Sequence, residues 1–389
     1  MNDKQERREL SGGELCSVDR SGTPIDRRQF IFQAGAFAAC TMMGMGLAGC
    51  SMSGTKNVSD GKDGSSESIS IIDQLGKTVT FAAPPQRVAT TIIPFPSIYY
   101  ALMGDTDTLV GANPSSMPAY EKSTLKSMYP TMTNVDTGWC SSNFTVNVEE
   151  LLRLKPDVVF QWTTQPEDIQ KMEDAGLKVI ALKYGTVDDL KTWITILGTL
   201  FQKEDRAQFL IDYFDKRIAR ISDKTSAIPE SEKPSAILLS ENLTVSGTGF
   251  TPYWMDQSGA QDLGASLASQ SAKVDMEQIL SWNPQFVYVG NFTSIQPSDL
   301  MENKLDGQDW SHVDAVKNNR VYKIPIGAYR WDPPCVETPL MVAWLAKLQH
   351  PDVFAEMDMN DEVRSFYQDV YDYNLSDVEL PSIFDHRHD

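Results

Sequence analysis

The sequence is poor in cysteine, in histidine and in basic side chains, and it lacks long apolar runs. Five cysteines and four histidines occur in 389 residues, which argues against a disulfide-bonded scaffold and against a metal site built from histidine. Beyond residue 50, no apolar run approaches the roughly 20 residues that a membrane-spanning helix needs. The formal net charge of -19 makes nucleic acid and anionic lipid surfaces poor partners.

Common catalytic patterns are also missing. The sequence has no Gly-x-Ser-x-Gly nucleophile elbow, no His-Glu-x-x-His helix and no cluster of cysteine with histidine. We therefore expect no enzymatic activity, no cofactor and no resident metal.

The first fifty residues are typical of an export signal. Arg27 and Arg28 form a twin-arginine pattern ahead of a weakly apolar run, 32–47, that is short for a membrane span. Small residues then precede Cys50, and this box resembles the lipobox of bacterial lipoproteins. The resemblance implies a lipid on Cys50 that holds the exported protein at the outer face of the cytoplasmic membrane. Residues 51–67 are small and polar, which predicts a flexible tether.

Two segments in different halves of the chain share one pattern. Residues 149–159 and 277–287 each have a leading Glu, a short helical stretch, a Pro and then an apolar strand. A repeat with so long a period does not indicate a solenoid. It predicts two similar α/β lobes, each with a parallel strand buried on both faces, and a ligand cleft between the lobes.

A single long helix is predicted to join the lobes. Apolar residues recur at helical spacing from Glu204 to Lys224, without Gly or Pro. The predicted fold is therefore α/β, with two similar lobes that have mostly parallel open sheets and are joined by one long helix. The expected organisation is a signal (1–50), a tether (51–67), an N-terminal lobe (68–203), the connecting helix (204–228), a C-terminal lobe (229–380) and a tail (381–389).

Four short segments carry a family resemblance: 73–79, 85–88, 147–157 and 315–322. In this order they make the chain similar to the helical-backbone, or class III, substrate-binding lipoproteins of ABC importers for ferric siderophores, haem and cobalamin. The resemblance covers nearly all of 69–375. It implies a monomeric receptor that captures an iron chelate, such as a ferric siderophore, and delivers it to an ABC permease dimer.

Two alternatives remain open at this stage. Within the family, the cargo would be a corrinoid (cobalamin) or haem. From another class, the protein would be an exported metalloenzyme or hydrolase, because the twin-arginine route often carries folded cofactor proteins.

Glu149 and Glu277 occupy equivalent places in the repeat, and the resemblance implies that each contacts an Arg of the permease dimer. The alternative is that each Glu only complements the dipole of its helix.

Ligand contacts are expected on loops at the carboxyl ends of strands. The segment 329–334 is the strongest candidate, because two prolines stiffen a loop that holds charged and aromatic side chains. Arg330 would bind an anion through charge-assisted hydrogen bonds, or else form a surface pair with Asp332. The predicted ligand residues are Phe95, Trp139, Trp162, Trp254, Asn291, Tyr329, Arg330 and Trp331, with Tyr184 and Phe292 on similar loops.

Cys140 and Cys335 are the cysteines of the predicted lobes. The sequence leaves open whether they form a disulfide, bind a soft metal or remain free thiols.

Overall fold

The computed structural model describes residues 68–104, 107–267, 269, 271–333 and 335–384. The predicted export signal with Arg27 and Arg28, the predicted lipid site Cys50 and the tether 51–67 lie outside the described residues. Within the described ranges, no helix is both long enough and apolar enough to cross a membrane.

The described chain begins with the predicted hairpin of strands β1 (Ile69–Ile72) and β2 (Thr78–Phe81), which pair antiparallel. Asp73 closes the turn, because one carboxylate oxygen accepts hydrogen bonds from the backbone N–H groups of Leu75 and Lys77 at 3.0 and 2.8 Å. The other oxygen accepts from the N–H of Ala181 at 3.1 Å. Asp73 therefore fastens the hairpin to the N-terminal lobe.

The N-terminal lobe contains a parallel sheet of four strands. They are β3 (Val88–Thr90), β4 (Leu109–Gly111), β5 (Val158–Trp162) and β6 (Val179–Leu182), in the order β4-β3-β5-β6. Every residue of β5 and β6 is buried, as expected for strands covered on both faces. The α-helices of this lobe are α1 (Phe95–Met103), α2 (Ser116–Lys122), α3 (Leu125–Met128), α4 (Val148–Leu154), α5 (Pro166–Asp174) and α6 (Val187–Leu200).

Helix α7 (Glu204–Thr225) is the predicted long connecting helix. Its apolar face is buried at the expected spacing, for example at Ala207, Phe214 and Ile218. Near its start, the Arg206 guanidinium donates to the carbonyl of Ala101 at 3.1 Å and to that of Val370. This helix is therefore bound to elements that precede it and follow it in the chain.

The C-terminal lobe has a mixed sheet. Strands β7 (Ser235–Ser240), β11 (Phe286–Val289) and β12 (Val321–Lys323) are parallel, and the short β9 (Gln261–Asp262) joins β7 in parallel. Strands β8 (Thr244–Val245) and β10 (Ala272–Lys273) extend the other edge in antiparallel pairing. The α-helices are α8 (Phe250–Ser258), α9 (Met276–Trp282), α10 (Pro297–Met301), α11 (Asp314–Lys317), α12 (Thr338–Gln349), α13 (Met359–Tyr371) and α14 (Glu379–Phe384).

The start of the predicted tail at 381 is wrong, because helix α14 extends to Phe384 and buries Leu380 and Ile383. The Glu379 carboxylate accepts from the N–H and hydroxyl of Ser376 at 3.0 and 2.7 Å. This Ser-x-x-Glu arrangement is a helix-start signal that the sequence interpretation did not use.

The two copies of the repeat match in their helix ends. Asn147 and Asp275 cap the starts of α4 and α9. Their side-chain oxygens accept from the backbone N–H groups of Glu150 and Gln278 at 3.3 and 2.8 Å. Both helices end in a left-handed residue followed by Pro, with φ 46° at Lys155 and φ 45° at Asn283.

The match continues into the strands that follow. The Asp157 carboxylate accepts from the N–H of Arg87 at 2.9 Å, just before β3. The Gln285 amide oxygen accepts from the N–H of Ser235 at 3.0 Å, at the start of β7. The repeat is thus one structural unit present in both lobes.

Candidate ligand-binding site

After β12 the chain forms a tight turn that we call the Arg330 hairpin, residues 325–331. Ile326 and Arg330 form an antiparallel bridge, and the N–H of Trp331 donates to the carbonyl of Pro325 at 3.2 Å. At the tip, the N–H of Gly327 donates to the carbonyl of Tyr329 at 2.9 Å. The predicted ligand residues Tyr329, Arg330 and Trp331 therefore lie on a defined hairpin.

A buried carboxylate supports the tip of this hairpin. The Glu337 oxygens accept from the backbone N–H groups of Ala328 and Tyr329 at 3.0 and 2.9 Å, and from the hydroxyl of Tyr367 at 2.9 Å. Burial raises the pKa of Glu337 to about 7, although these hydrogen bonds oppose the rise. A Cβ atom at Gly327 would lie 2.0 Å from the Glu337 carboxylate, so only glycine fits there.

The Arg330 hairpin lies where the two lobes meet. The N–H of Thr124, in the N-terminal lobe, donates to the carbonyl of Gly327 at 3.0 Å. The Tyr329 ring and Cys335 pack in one small cluster with Ala119 and Ile93 of that lobe. This is the position in which the sequence predicted a ligand cleft.

Several polar atoms on the hairpin are buried without a hydrogen-bond partner among the described residues. They are Nε and Nη1 of Arg330, the hydroxyl of Tyr329 and Nε1 of Trp331; Oδ1 of Asp332, directly after the hairpin, is another. The guanidinium carbon of Arg330 lies 4.3 Å from the ring centroid of Phe292. An unpaired buried polar group costs about 1–3 kcal/mol, so a cluster of them is typical of a place that receives a ligand.

Arg330 and Asp332 do not form the surface ion pair considered as an alternative. One oxygen of Asp332 instead accepts from the N–H of Asn291 at 2.8 Å. The Asn291 side-chain amide donates to the carbonyls of Ile324 and Pro325 at 2.9 and 3.3 Å. The structure therefore places Asn291 as a brace between two loops of the site.

Charged groups of both signs lie around the hairpin. Lys323 donates to the carbonyls of Thr293 and Ile295 at 2.9 and 2.8 Å. Burial lowers the pKa of Lys323 to about 8. The charge of Asp332 opposes this decrease in pKa, whereas the cations Lys122 and Arg330 lower the pKa further. Lys122, Lys323 and Arg330 therefore lie near one another, with Asp332 and Asp299 as neighbouring acidic groups.

Tyr184 faces the same place from the N-terminal lobe. Although 39% of the residue's surface is exposed, desolvation of the hydroxyl, followed by the charge of Asp332, raises its pKa to about 12. Its ring lies 5.7 Å from that of Trp162 and 5.9 Å from that of Phe250. Trp162, another predicted ligand residue, is 8% exposed beside it.

Four predicted ligand residues lie in the core instead. Phe95, Trp139, Trp254 and Trp331 are at most 1% exposed. Phe95 packs against Phe160 with ring centroids 4.6 Å apart, and Trp331 packs edge-on against Phe384 at 6.1 Å. Phe95 and Trp254 belong to helices α1 and α8 rather than to loops, and all four side chains present almost no surface to a ligand.

Sequence reasoning missed Lys323 and Glu337. Lys323 is the last residue of a strand, where a charged side chain is not unusual. Glu337 precedes an apolar helix, where an acidic side chain is explained by the helix dipole. A signal was present for Glu337: among 335–346 it is the lone acidic side chain in an otherwise apolar stretch.

Cys140 and Cys335 are free and buried. Burial raises the pKa of Cys140 to about 12 and raises that of Cys335 well above its ordinary value. Both thiols are therefore unreactive apolar groups in this structure. The described part of the chain contains no group of three or more His, Cys, Asp or Glu side chains that could hold a metal ion.

Residues 97–326 match the family described as periplasmic binding protein. A periplasmic solute binding protein from Veillonella parvula is 38% identical, with a TM-score of 0.76 over 82% of this chain and 97% of its own. The molybdate-binding protein MolA of Haemophilus influenzae is 27% identical over 58% of this chain and 70% of its own length. The iron(3+)-hydroxamate-binding protein FhuD of Bacillus subtilis is 27% identical over 50% of this chain and 64% of its own.

The relatives are binding proteins for transport rather than enzymes, and the resemblance to class III substrate-binding proteins is confirmed. The two lobes with parallel strands and a connecting helix agree with it. The chain therefore belongs to the periplasmic binding protein family and is an extracytoplasmic substrate-binding protein of an ABC transporter.

Proposed function

We propose that this protein is a lipid-anchored receptor that captures an anionic metal species between its lobes and delivers it to an ABC permease. The observation that carries the proposal is the half-buried Arg330 guanidinium, two of whose nitrogens have no partner among the described residues. A guanidinium is always charged, and its planar set of donors matches the oxygens of an oxyanion. Lys122 and Lys323 add positive charge nearby, which Asp332 and Asp299 partly offset.

Two kinds of cargo share this chemistry. One is an iron chelate such as a ferric siderophore, which the sequence suggested and which the name of the Bacillus subtilis relative supports. The other is a small metal oxyanion, as in the name of the Haemophilus influenzae relative. The burial of Phe95, Trp139 and Trp254 removes three of the aromatic side chains expected to contact a corrinoid or haem, which favours the other two cargos.

Binding to the purified protein tests this proposal. We expect tryptophan fluorescence or calorimetry to give a Kd below about 10 μM for molybdate or for a ferric hydroxamate. Sulfate is the control for a non-specific anion, while cobalamin and haem test the alternatives. If neither molybdate nor the ferric chelate binds, the proposed cargo class is wrong.

The proposal includes docking through the two copies of the repeat. Glu149 and Glu277 are exposed, and neither forms an ion pair or a side-chain hydrogen bond with a described residue. One turn further along each helix, Leu152 and Leu280 are 43% and 40% exposed. Residues three apart share a helix face, so each lobe presents the same acidic and apolar pair.

Such a duplicated pair fits a partner that has two equivalent basic and apolar sites, as a permease dimer does. The neighbouring Glu150 differs, because its carboxylate is paired with Arg153 at 2.7 Å. We propose that Glu149 and Glu277 form the polar part of the docking contact and that Leu152 and Leu280 form its apolar part.

A further inference from the structure

The buried Glu337 carboxylate connects the Arg330 hairpin to both lobes. We propose that Glu337 and Tyr367 form a clamp that sets the position of the hairpin, and that Glu337 is a positioning residue for cargo binding. The effect on cargo binding rests on the proposed function, whereas the clamp itself does not.

The chemistry of the groups determines the direction of each hydrogen bond in the clamp. An ionised carboxylate only accepts hydrogen bonds, so above the raised pKa of Glu337 the Tyr367 hydroxyl donates to Glu337 at 2.9 Å and accepts from the Thr124 hydroxyl at 2.7 Å. The backbone N–H of Thr124 also donates to the carbonyl of Gly327 at 3.0 Å. One residue of the N-terminal lobe therefore reaches the hairpin tip by two routes.

The clamp acts on the atoms that would meet cargo. Glu337 holds the N–H groups of Ala328 and Tyr329, and Arg330 follows directly. A shift of the carboxylate therefore moves the Tyr329 hydroxyl and the Arg330 guanidinium together. A fully buried carboxylate is costly unless its hydrogen bonds are complete, so its retention here favours a role in holding polar groups in register.

Two tyrosines on helix α13 give a matched pair of variants. Tyr367→Phe removes the hydroxyl that joins Thr124 to Glu337. Tyr371→Phe removes a hydroxyl that is also buried but has no partner among the described residues. Glu337→Gln is the third variant, because its amide would place an N–H donor against donors.

The experiment measures hydrogen exchange of the segment 325–333 at pH 8 and the affinity for molybdate and for a ferric hydroxamate. We expect Tyr367→Phe and Glu337→Gln to speed exchange of the Ala328 and Tyr329 amides roughly tenfold, since each loses about one hydrogen bond. We expect affinity for the bound probe to fall about three- to tenfold in both variants. Tyr371→Phe should match the parent in both measurements.

Each other outcome has a defined meaning. Unchanged exchange in Tyr367→Phe, or an equal change in Tyr371→Phe, overturns the clamp. Faster exchange with unchanged probe affinity overturns the positioning role. If the parent binds neither probe, the proposed cargo has failed, and exchange alone then decides whether the clamp exists. Should Glu337→Gln not fold, the two tyrosine variants give the answer.

Discussion

At the scale of single residues, binding is expected to depend on the Arg330 guanidinium. Its Nε and Nη1 donors, which are buried and have no partner among the described residues, lie beside Phe292. Loss of one charge-assisted hydrogen bond costs about 1.5–3 kcal/mol, so Arg330→Ala should weaken cargo binding roughly ten- to hundredfold by calorimetry. Arg330→Lys should restore little, because an ammonium lacks the planar set of donors.

Arg320→Ala is the control for this prediction. Its guanidinium carbon lies 5.3 Å from the ring centroid of Phe286 in the same lobe, away from the Arg330 hairpin. Affinity in this variant should equal that of the parent. An equal loss in both variants would show that the effect comes from the stability of the lobe rather than from the site.

At the scale of elements, helices α4 and α9 should act together. Replacing both Glu149 and Glu277 by Ala should abolish permease-stimulated ATPase activity, because both charged contacts are lost, while cargo affinity stays within a few-fold. Replacing both Leu152 and Leu280 by Ser should lower the activity partially, because complete burial of one leucine side chain contributes about 1.5–3 kcal/mol. ATP hydrolysis in proteoliposomes measures both.

Glu150→Ala tests whether any acidic residue on α4 matters. That carboxylate already pairs with Arg153, so the variant should retain full activity. Full stimulation by the double variant of Glu149 and Glu277 would contradict the docking role.

Elements with strong periodicity or clear ends could be predicted from the sequence. The connecting helix α7 and the two repeat units were predicted correctly, because apolar spacing and Pro positions are local properties. Helices α2 and α8 were missed because Gly, Ser and Pro dominate their surroundings. Their helical state depends on packing, with Tyr120 and Trp254 buried in the core.

In the site, too, local sequence features could be predicted, whereas features that depend on packing could not. The segment 329–334 was predicted as a stiff, extended ligand loop because two prolines and a charged residue stand out in sequence, whereas the structure forms a hairpin that ends before Pro333. The burial of Trp139 could not be predicted, because it depends on contact with Gly111, where a Cβ atom would lie 2.6 Å from the indole nitrogen. Which side chain lies under a loop is decided by residues distant in sequence.

At the scale of the whole molecule, Glu337 should make stability depend on pH. Folding raises its pKa from 4.5 to about 7, so between these values the folded state binds more protons than the unfolded state. The free energy of unfolding should therefore lose this contribution as pH rises from 4.5 to about 7, and keep it in full below 4.5. Cys335, Tyr367 and Tyr371 have raised pKa values and stay neutral across that window.

Urea unfolding at several pH values checks this dependence. Glu337→Gln should flatten the slope between about pH 5 and pH 7. The exposed Glu356 provides a control, and Glu356→Gln should keep the slope of the parent. An unchanged slope in Glu337→Gln would contradict the assignment.

The location of the whole protein is expected to depend on Cys50. Cys50→Ser should remove acyl labelling and release the protein from the membrane fraction, because the lipid is the proposed attachment. Replacing Arg27 and Arg28 by Lys should instead stop export, which cell fractionation measures. Acylation that persists in Cys50→Ser would contradict the anchor.

The packing of helix α14 has a consequence for the order of folding. The N–H of Ile326 in the Arg330 hairpin donates to the carbonyl of Ile383 at 3.1 Å, and Phe384 covers the Trp331 ring. A nascent chain on the ribosome cannot make these contacts until residues 379–384 have been synthesised and released. The proposed cargo site is therefore completed only once residues 379–384 have left the ribosome, whereas the N-terminal sheet can assemble earlier.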